Sequence, residues 1–403
     1  MADRKRFALA GVLLGLILAL VLFPVTVQLV LYGPDYPIHL RLAATLNQSL
    51  SDGNFFDALA RLNLPHFAYH LQILAGQALA PAASPALIAI ALALLMQVLT
   101  ALIAYHLFRA ALPPAPRAPA LAALAAFTLL IVAPITVLTW PQLQLYFGYI
   151  PANMQHSPTQ IALKPWALLV SIIALAACFP TEHKRRSLAL LVGVVLVTAL
   201  MTLTKPSYAL PLLPVLLLVV AWRRLHRQPL DWALLAALVV PLLAILAWQY
   251  LFTYQTSEAG AGIGIGFFTV PRLFAPLPEW LWKFPLSIAF PLVLILLEWR
   301  SAHRDPYLGM SRLIFAAGAF LTFFVYERGA RLTDGNFLWS GQITVFILFA
   351  AALRFALSHY GPLLLHSLRP RGWRAWILSS LLLLHVVSGV VFLIFEAQGR
   401  IPW

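Results

Sequence analysis

The chain has 403 residues, of which 62% are hydrophobic and 10% are charged, and it carries a formal net charge of +14. A soluble globule of this size must cover itself with polar groups, so the composition excludes a soluble protein and indicates an integral membrane protein. Cytoplasmic loops rich in Lys and Arg explain the positive charge. No basic patch interleaved with aromatic residues accompanies it, so we expect no nucleic-acid partner. The single cysteine, Cys178, excludes an internal disulfide and a cysteine-based metal cluster.

Apolar runs that could cross a membrane recur along the chain. The first, residues 7–32, is too long for the apolar core of a signal peptide and no cleavage site follows it, so we expect an uncleaved first span. The other predicted spans are 85–108, 119–139, 165–180, 187–203, 208–222, 231–252, 283–298, 313–327, 338–357 and 376–395. The sequence therefore predicts an all-α, polytopic protein with about 11 transmembrane helices. We expect a single domain over residues 1–403, with no separate soluble domain.

The loops between these spans differ in charge. Short basic segments alternate with longer loops that mix acids, amides, histidines and aromatic residues. By the positive-inside rule the basic segments face the cytoplasm, which places the N-terminus inside and the longer loops outside. The excess of Arg over Lys and the abundance of Ala, Leu and Pro favour a bacterial source. We therefore expect a multi-pass protein of the bacterial cytoplasmic (inner) membrane whose active site faces the periplasm.

The first outer loop, residues 33–65, holds the densest polar sequence. Asp35 precedes a stretch, 36–50, that has apolar residues at helical spacing, and a second short helix is expected at about 54–62. Amphipathic helices of this kind lie on the membrane surface. The next stretch, 66–80, is short and rich in His and Gln, and it predicts a buried or partly inserted helix.

Asp35 and His39 are spaced as on one face of a helix. This spacing fits a metal-binding pair, a carboxylate base oriented by an imidazole, or a helix N-cap beside a surface histidine. A metal site would need His66 or His70 to fold onto the pair, because no second carboxylate is close in the sequence. We therefore expect no metal and no cofactor, with a divalent cation as an unsupported alternative.

Later outer segments bring more polar and cationic residues to the same side. Charged groups in hydrocarbon cost roughly 2.5–3.5 kcal/mol each on insertion scales, so they normally lie in protein or at a water-filled cavity. A single Lys or Arg can also snorkel at the interface, but snorkelling does not explain why amides and histidines gather there too. The candidate binding residues of these segments are Asn153, His156, Lys164, Lys205, Arg328, Arg331, Asn336 and Trp339.

Short motifs on the outer face carry a resemblance to a known superfamily. They are GPDYPIHL (33–40), LPHFAYH (64–70), HSPT followed by KP (156–159 and 164–165), KPS (205–207) and GNFLW (335–339). With an inner N-terminus, a first span, an outer loop that carries an acid and surface helices, and a leucine-rich body of spans, the chain resembles the GT-C superfamily of polytopic membrane glycosyltransferases. The adjacent pair of acids found in some members is absent, since Asp35 stands alone.

This resemblance implies a transferase that moves a sugar from a polyprenyl-phosphate donor to a glycan, lipid or protein acceptor at the periplasmic face. Asp35 is then the general base and His39 orients it. The cations of the outer rim would stabilise the leaving lipid phosphate. His66, His70 and the remaining polar and aromatic candidates named above would bind substrate. Membrane lipids are the other expected partners.

Other functions stay open at this point. A transporter or flippase of lipid-linked sugars would show broken helices and ionisable groups near the middle of the membrane. Prolines inside several spans allow that function, whereas the clustering of charge at the outer rim argues against it. An O-antigen polymerase or ligase type enzyme would also keep basic residues in large outer loops. A non-enzymatic membrane scaffold is the last alternative.

Overall fold

The computed structural model describes residues 2–51, 53, 55–62, 64–137, 148–181, 186–255, 262–366 and 372–401. Within these ranges the protein is nearly all α-helix, as the composition predicts, and it has one two-stranded sheet. Parts of two predicted outer loops, 138–147 and 256–261, lie outside the described residues, as does the end of the predicted span 119–139.

The helices follow in chain order as α1 (Ala2–Tyr32), α2 (Tyr36–Ser51), α3 (Phe55–Arg61), α4 (Ala68–Leu79), α5 (Pro85–Ala110), α6 (Ala118–Ile131), α7 (Pro158–Cys178), α8 (Leu188–Thr204), α9 (Ala209–Leu225), α10 (Trp232–Gln255), α11 (Pro271–Phe274), α12 (Leu277–Ser287), α13 (Ala289–Leu297), α14 (Trp299–Ala302), α15 (Pro306–Phe324), α16 (Leu338–His366) and α17 (Trp373–Ala397). The strands are β1 (Gly262–Ile265) and β2 (Val325–Arg328), and a 3₁₀ helix covers Gly329–Asp334. The helices predicted at 36–50, 54–62 and 66–80 are confirmed as α2, α3 and α4.

Seven helices of the described chain are long and apolar enough to cross a membrane, or eight if the bent pair of α12 and α13 is one span. The seven are α1, α5, α7, α10, α15, α16 and α17. The other predicted spans also overlap helices, but α6 and α8 are shorter apolar helices. The protein is therefore a polytopic, helical membrane protein, and the predicted count of about 11 spans is not confirmed.

Helix α6 shows why apolar length alone overestimates a span. The apolar sequence continues beyond Ile131, but the helix ends there and Val132 has extended backbone. The side-chain amide of Asn153 donates hydrogen bonds to the carbonyl oxygens of Leu129 and Val132, at 2.9 and 2.8 Å. An amide from a distant segment therefore satisfies the end of α6, and the chain continues as a buried extended segment.

Helix α16 lies at the centre of the bundle. Its residues 343–353 are almost continuously buried, which is the pattern of a helix surrounded by others. It packs closely on α15, where a side chain on Gly318 would collide with Thr344 and one on Gly341 would collide with Thr322. Small residues at such positions let two membrane helices approach each other. The start of α16 is thereby held firmly at one end of the bundle.

The two strands bring distant segments together at that same end. β1 and β2 pair antiparallel, with Gly262 opposite Arg328 and Ile265 opposite Val325. The ladder links the segment after α10 to the segment after α15. The ring of Tyr326 occupies the space where a side chain on Gly264 would lie. Residues 325–339 are therefore held beside the C-terminal end of α10, where the Tyr254 hydroxyl donates to Glu327.

We expect cysteines placed at Thr333 and Arg304 to be labelled from opposite sides of a membrane, because α15 lies between them and both positions are exposed. The native Cys178 is completely buried and gives little background. The measurement is labelling of T333C and R304C by a membrane-impermeant thiol reagent in sealed vesicles. Labelling of both variants from one side would contradict the transmembrane placement of α15.

Candidate functional site

Asp35 lies in the tight turn that connects α1 to α2. The Gly33 amide donates a hydrogen bond to the Leu29 carbonyl at 2.8 Å, and a side chain on Gly33 would collide with that carbonyl. The Asp35 carbonyl accepts a hydrogen bond from the His39 amide at 3.1 Å, in the first turn of α2. A carboxylate at the start of a helix is stabilised by the helix dipole. The turn therefore holds the Asp35 side chain at one end of the helix bundle, where it is 28% exposed.

A cleft of about 280 Å³ opens in front of Asp35. Its wall combines α2, the segments around Pro65, Ser157 and Lys205, helix α10, and the segment from β2 to the start of α16. The polar, charged and aromatic residues that line it are Asp35, His39, His66, Ser157, Thr159, Lys205, Ser207, Gln249, Tyr250, Thr253, Tyr254, Glu327, Arg331, Asn336, Phe337 and Trp339. The cleft thus brings together residues from across the whole chain.

Three histidines near Asp35 make two contacts, one with its carboxylate and one between two imidazole rings. His156 Nε2 lies 3.9 Å from the Asp35 carboxylate. The ring of His39 instead forms a hydrogen bond with His70, at 3.0 Å between Nδ1 and Nε2. The imidazole that faces the carboxylate is therefore His156, from a segment far along the chain, while His70 holds the ring of His39.

Lys205 lines the cleft together with Asp35, and the two residues interact electrostatically. It follows the last residue of α8, and its ammonium group lies 3.5 Å from the centroid of the Trp339 ring and 3.4 Å from Ser157 Oγ, to which it donates. Burial lowers the pKa of Lys205, and Asp35 partly restores it. Burial likewise raises the pKa of Asp35, and Lys205 opposes that shift. Each charge therefore stabilises the ionised form of the other in a poorly hydrated place.

Glu327 is the acid that the sequence reasoning missed. It lies in β2, is 5% exposed, and accepts hydrogen bonds from Arg331 Nε at 2.9 Å, from the Tyr254 hydroxyl at 2.8 Å, and from the Asn336 amide. The second acid near Arg331, Asp334, is 4.0 Å away and 48% exposed. Three donors around one carboxylate fix the position of Arg331 at the cleft wall. The sequence carries a signal for it, because Glu327 is the last residue of the predicted span 313–327, and an acid at the end of an apolar span needs partners.

The cleft histidines are neutral at neutral pH. Burial lowers the pKa of His66 and of His156 to about 3, with Lys205 contributing to both, and lowers the pKa of His70 to about 4. Burial and then His70 lower the pKa of His39 well below its ordinary value. A neutral imidazole offers one donor and one acceptor. Of these four rings, His39 and His66 line the cleft and can offer hydrogen bonds there, and the positive charge of the cleft comes from Lys205 and Arg331.

The remaining sequence candidates do not line the cleft. Lys164 is fully buried in α7 and donates to Asn153 Oδ1 at 2.8 Å, so these two residues form the internal polar cluster that ends α6. Arg328 is exposed at the end of β2. His70 lies behind His39, and His156 reaches the cleft through Asp35 and the ring of Trp339.

Helix α10 contributes polar groups that the sequence reasoning also missed. Gln249 donates to the carbonyl oxygens of Pro65 and Thr202, at 2.9 and 3.1 Å, and ties the first outer loop to α8. Thr253 and Tyr254 line the cleft one turn further along. A glutamine side chain buried in an apolar span without hydrogen-bond partners costs free energy. Gln249, inside the predicted span 231–252, therefore indicates a hydrogen-bonded amide within the bundle.

One wall of the cleft is apolar and reaches the outside of the bundle. It is formed by Ile38, Leu210, Leu246, Tyr250 and Ile263. Three of these, Ile38, Tyr250 and Ile263, are between 41% and 52% exposed. The cleft therefore suits an amphiphile, with a polar head near Asp35, Lys205 and Arg331 and an apolar tail that leaves along this wall. No group of three or more metal-ligating side chains suited to a metal ion occurs in the described part of the chain.

Replacing Glu327 by alanine should lower the free energy of unfolding by about 3 kcal/mol, because it leaves the Arg331 guanidinium without its buried partner. The matched control is D334N, which removes an exposed charge beside the same arginine and should cost less than about 1 kcal/mol. Thermal unfolding of both variants in detergent measures the difference. Equal losses would contradict the role given to Glu327.

Lowering the pH from 7 to 5 should destabilise the protein through His70, which is completely buried. Its pKa is about 4 when folded and near 6.5 when unfolded, so in this range only the unfolded chain takes up the proton. The free energy of unfolding should fall by about 2 kcal/mol from this residue alone.

The H70Q variant provides the measurement. It should unfold at a lower temperature at both pH values because the hydrogen bond to His39 is lost, but its midpoint should depend less on pH than that of the wild type. An equal pH dependence in the two proteins would show that His70 takes up a proton without unfolding.

Searches against protein-family models, curated proteins and solved structures find no match to this chain. The residues of the cleft form a half-open chamber with a partly exposed carboxylate, two cations, two neutral imidazoles and an apolar exit.

Proposed function

We propose that the protein is a membrane glycosyltransferase that moves a sugar from a polyprenyl-phosphate donor to a glycan, lipid or protein acceptor. The observation that carries this proposal is the composition of the cleft. A partly exposed carboxylate, Asp35, shares one chamber with two cations, Lys205 and Arg331, and with an apolar wall that reaches the outside of the bundle. A sugar joined through phosphate to a long apolar chain has these same three parts.

Asp35 acts as the general base. It takes the proton of the acceptor hydroxyl as that oxygen bonds to the anomeric carbon, and the bond from that carbon to the phosphate oxygen breaks. An unperturbed aspartate is a weak base for an alcohol, and the burial that raises the pKa of Asp35 makes it a better one. Proton transfer is concerted with attack, and a single displacement inverts the anomeric configuration.

Lys205 and Arg331 stabilise the lipid phosphate that leaves. Fixed cations in a poorly hydrated site act strongly on the charge that develops on the leaving oxygen. Arg331 is already positioned by Glu327 and Lys205 by Trp339, so little reorganisation is needed at the moment of reaction.

The neutral histidines bind the sugar and orient the base. His39 and His66 line the chamber and offer donors and acceptors to sugar hydroxyls. His156 lies against Asp35 and favours one orientation of its carboxylate. Its position supports His156, rather than His39, as the orienting imidazole.

The architecture and orientation belong to the same proposal. The order of a first span, an acid-bearing turn and short surface helices fits a GT-C-type enzyme of the bacterial cytoplasmic membrane, with its cleft at the periplasmic face. Loop charges favour that orientation. This orientation places Thr333 outside the cell. The membrane-impermeant thiol reagent should therefore label T333C, and not R304C, in intact cells.

A transporter of lipid-linked sugars is the alternative that a structural feature favours. Helices α12 and α13 form a pair bent by 65°, as in the broken spans of transporters. Neither helix contributes a described residue to the cleft lining, so the bend is not at the proposed binding site. An O-antigen polymerase or ligase type enzyme would use the same base and cations with a different acceptor.

The D35N variant tests the proposal. It keeps the shape of the side chain and removes the base, so we expect transfer to fall by a factor of about 10² to 10⁴. The measurement is glycan modification in whole cells, with the variant expressed at the wild-type level. The matched control is D57N, an exposed acid of the first outer loop that lies outside the cleft.

Wild-type modification in D35N would contradict the base assignment. Loss in both D35N and D57N would point to folding of the first loop rather than to catalysis. If the protein is a transporter, the D35N variant should be defective in moving intact donor across vesicle membranes. The wild type should then release no free lipid phosphate.

A further inference from the structure

A second cavity, of about 180 Å³, lies away from the cleft between α6, α16 and α17. Its walls are apolar apart from three hydroxyl side chains, and it is lined by Leu121, Leu124, Ala125, Thr128, Phe290, Leu353, Ala356, Leu357, Tyr360, Leu363, Leu364, Ala375, Leu378, Ser379 and Leu382. Leu124 is 61% exposed and Leu363 is 44% exposed, so the cavity is a groove open at the side of the bundle. We call it the lateral groove.

The lateral groove occupies the half of the membrane opposite the cleft. Trp339 at the cleft and Tyr360 at the groove are 21 residues apart on α16, which is about 32 Å along a helix, close to the thickness of the hydrocarbon layer. The groove residues of α16, Leu353 to Leu364, cover about 16 Å, roughly the depth of one leaflet. The groove therefore extends from the middle of the membrane to the interface opposite the cleft.

The rim of the groove at that interface is amphipathic and cationic. The Tyr360 hydroxyl donates to Glu298 at 2.6 Å, and Arg374 donates to the same carboxylate at 3.3 Å. Arg374 is 50% exposed, and its guanidinium carries five N–H donors, more than the contact with Glu298 uses. Trp373, beside it, is 61% exposed. Exposed Trp, Tyr and Arg side chains mark the level of lipid headgroups.

A second cation lies at the same end of the groove. Arg117 is exposed at the N-terminus of α6, one turn before Leu121 of the groove wall. Arg117 and Arg374 therefore stand at the beginnings of two helices that form opposite walls. The one negative charge of Glu298 does not balance the two positive charges of Arg117 and Arg374. The rim of the lateral groove is therefore positively charged.

We propose that the lateral groove binds one anionic phospholipid of the leaflet opposite the cleft. An acyl chain lies in the slot between α6, α16 and α17, and the phosphate contacts Arg374 and Arg117. The length of the slot matches one acyl chain within one leaflet, and the charge of the rim matches an anionic headgroup. The lateral groove opens at the side of the bundle, below the level of Trp373. Its ligand therefore enters from the membrane and is a lipid rather than a soluble molecule.

Two adjacent serines of α17 test the site by steric filling. Ser379 lines the groove and Ser380 does not, and both are exposed. The S379F variant should fill the slot, whereas S380F adds the same ring at a position outside it. Full-length protein purified in mild detergent is incubated with phosphatidylglycerol, and retained lipid is counted by native mass spectrometry. We expect wild type and S380F to retain one phosphatidylglycerol and S379F to retain none.

The charge of the rim is tested separately, with R374Q and a control, R304Q, that removes an exposed arginine outside the groove lining. R374Q should weaken phosphatidylglycerol binding about fivefold and leave phosphatidylcholine binding unchanged, since one cation near the headgroup is lost. R304Q should behave as wild type.

Equal retention by S379F and S380F would overturn the groove as the site. Equal retention of phosphatidylglycerol and phosphatidylcholine by the wild type, or equal behaviour of R374Q and R304Q, would overturn the anionic headgroup. None of these measurements uses the transferase activity, so they stand or fall independently of the function proposed for the cleft.

Discussion

The end of the molecule that carries the cleft depends on opposite charges held together in poorly hydrated surroundings. Lys205 and Asp35 each keep the other ionised against the effect of burial. Glu327 and Arg331 form a second pair a short distance away, and the Glu327 carboxylate accepts hydrogen bonds from two more donors. Removing one member of such a pair leaves an uncompensated charge, which costs more than the pair itself contributes. Segments from three regions of the sequence therefore meet here, because each brings a charge that is neutralised by an opposite charge nearby.

Much of the fold could be predicted from the sequence, because membrane spans follow from apolar length and loops from charge. The helices at 36–50, 54–62 and 66–80 were found from apolar spacing and from their His and Gln content. The predicted number of spans is not confirmed, and apolar length overestimates a helix where an apolar segment is buried without being helical, as after Ile131, since hydropathy does not distinguish the two. The composition is enough to predict the fold class. The end of α6, in contrast, depends on hydrogen bonds from a single side-chain amide, that of Asn153.

The site was predictable only in part. Asp35, Lys205 and Arg331 were found because isolated charges in an apolar chain are conspicuous. The pairing of His39 with His70, and of Asp35 with His156, was not accessible, because it depends on how α2 lies against α4 and against the segment before α7. Lys164 illustrates the opposite error. A lysine beside a span end was assigned to the outer rim, but it is buried against the Asn153 side chain and supports the fold.

The ladder between β1 and β2 has a consequence for how such a protein can diversify. Its hydrogen bonds join backbone groups, so they hold the segment after α15 beside the segment after α10 independently of the side chains at positions 263 and 265. Ile263 lines the cleft and Ile265 is largely exposed, yet neither is needed for the pairing itself. Related chains could therefore vary the side chain at position 263 and alter which ligand fits, while the frame that positions Glu327 and Arg331 is inherited unchanged.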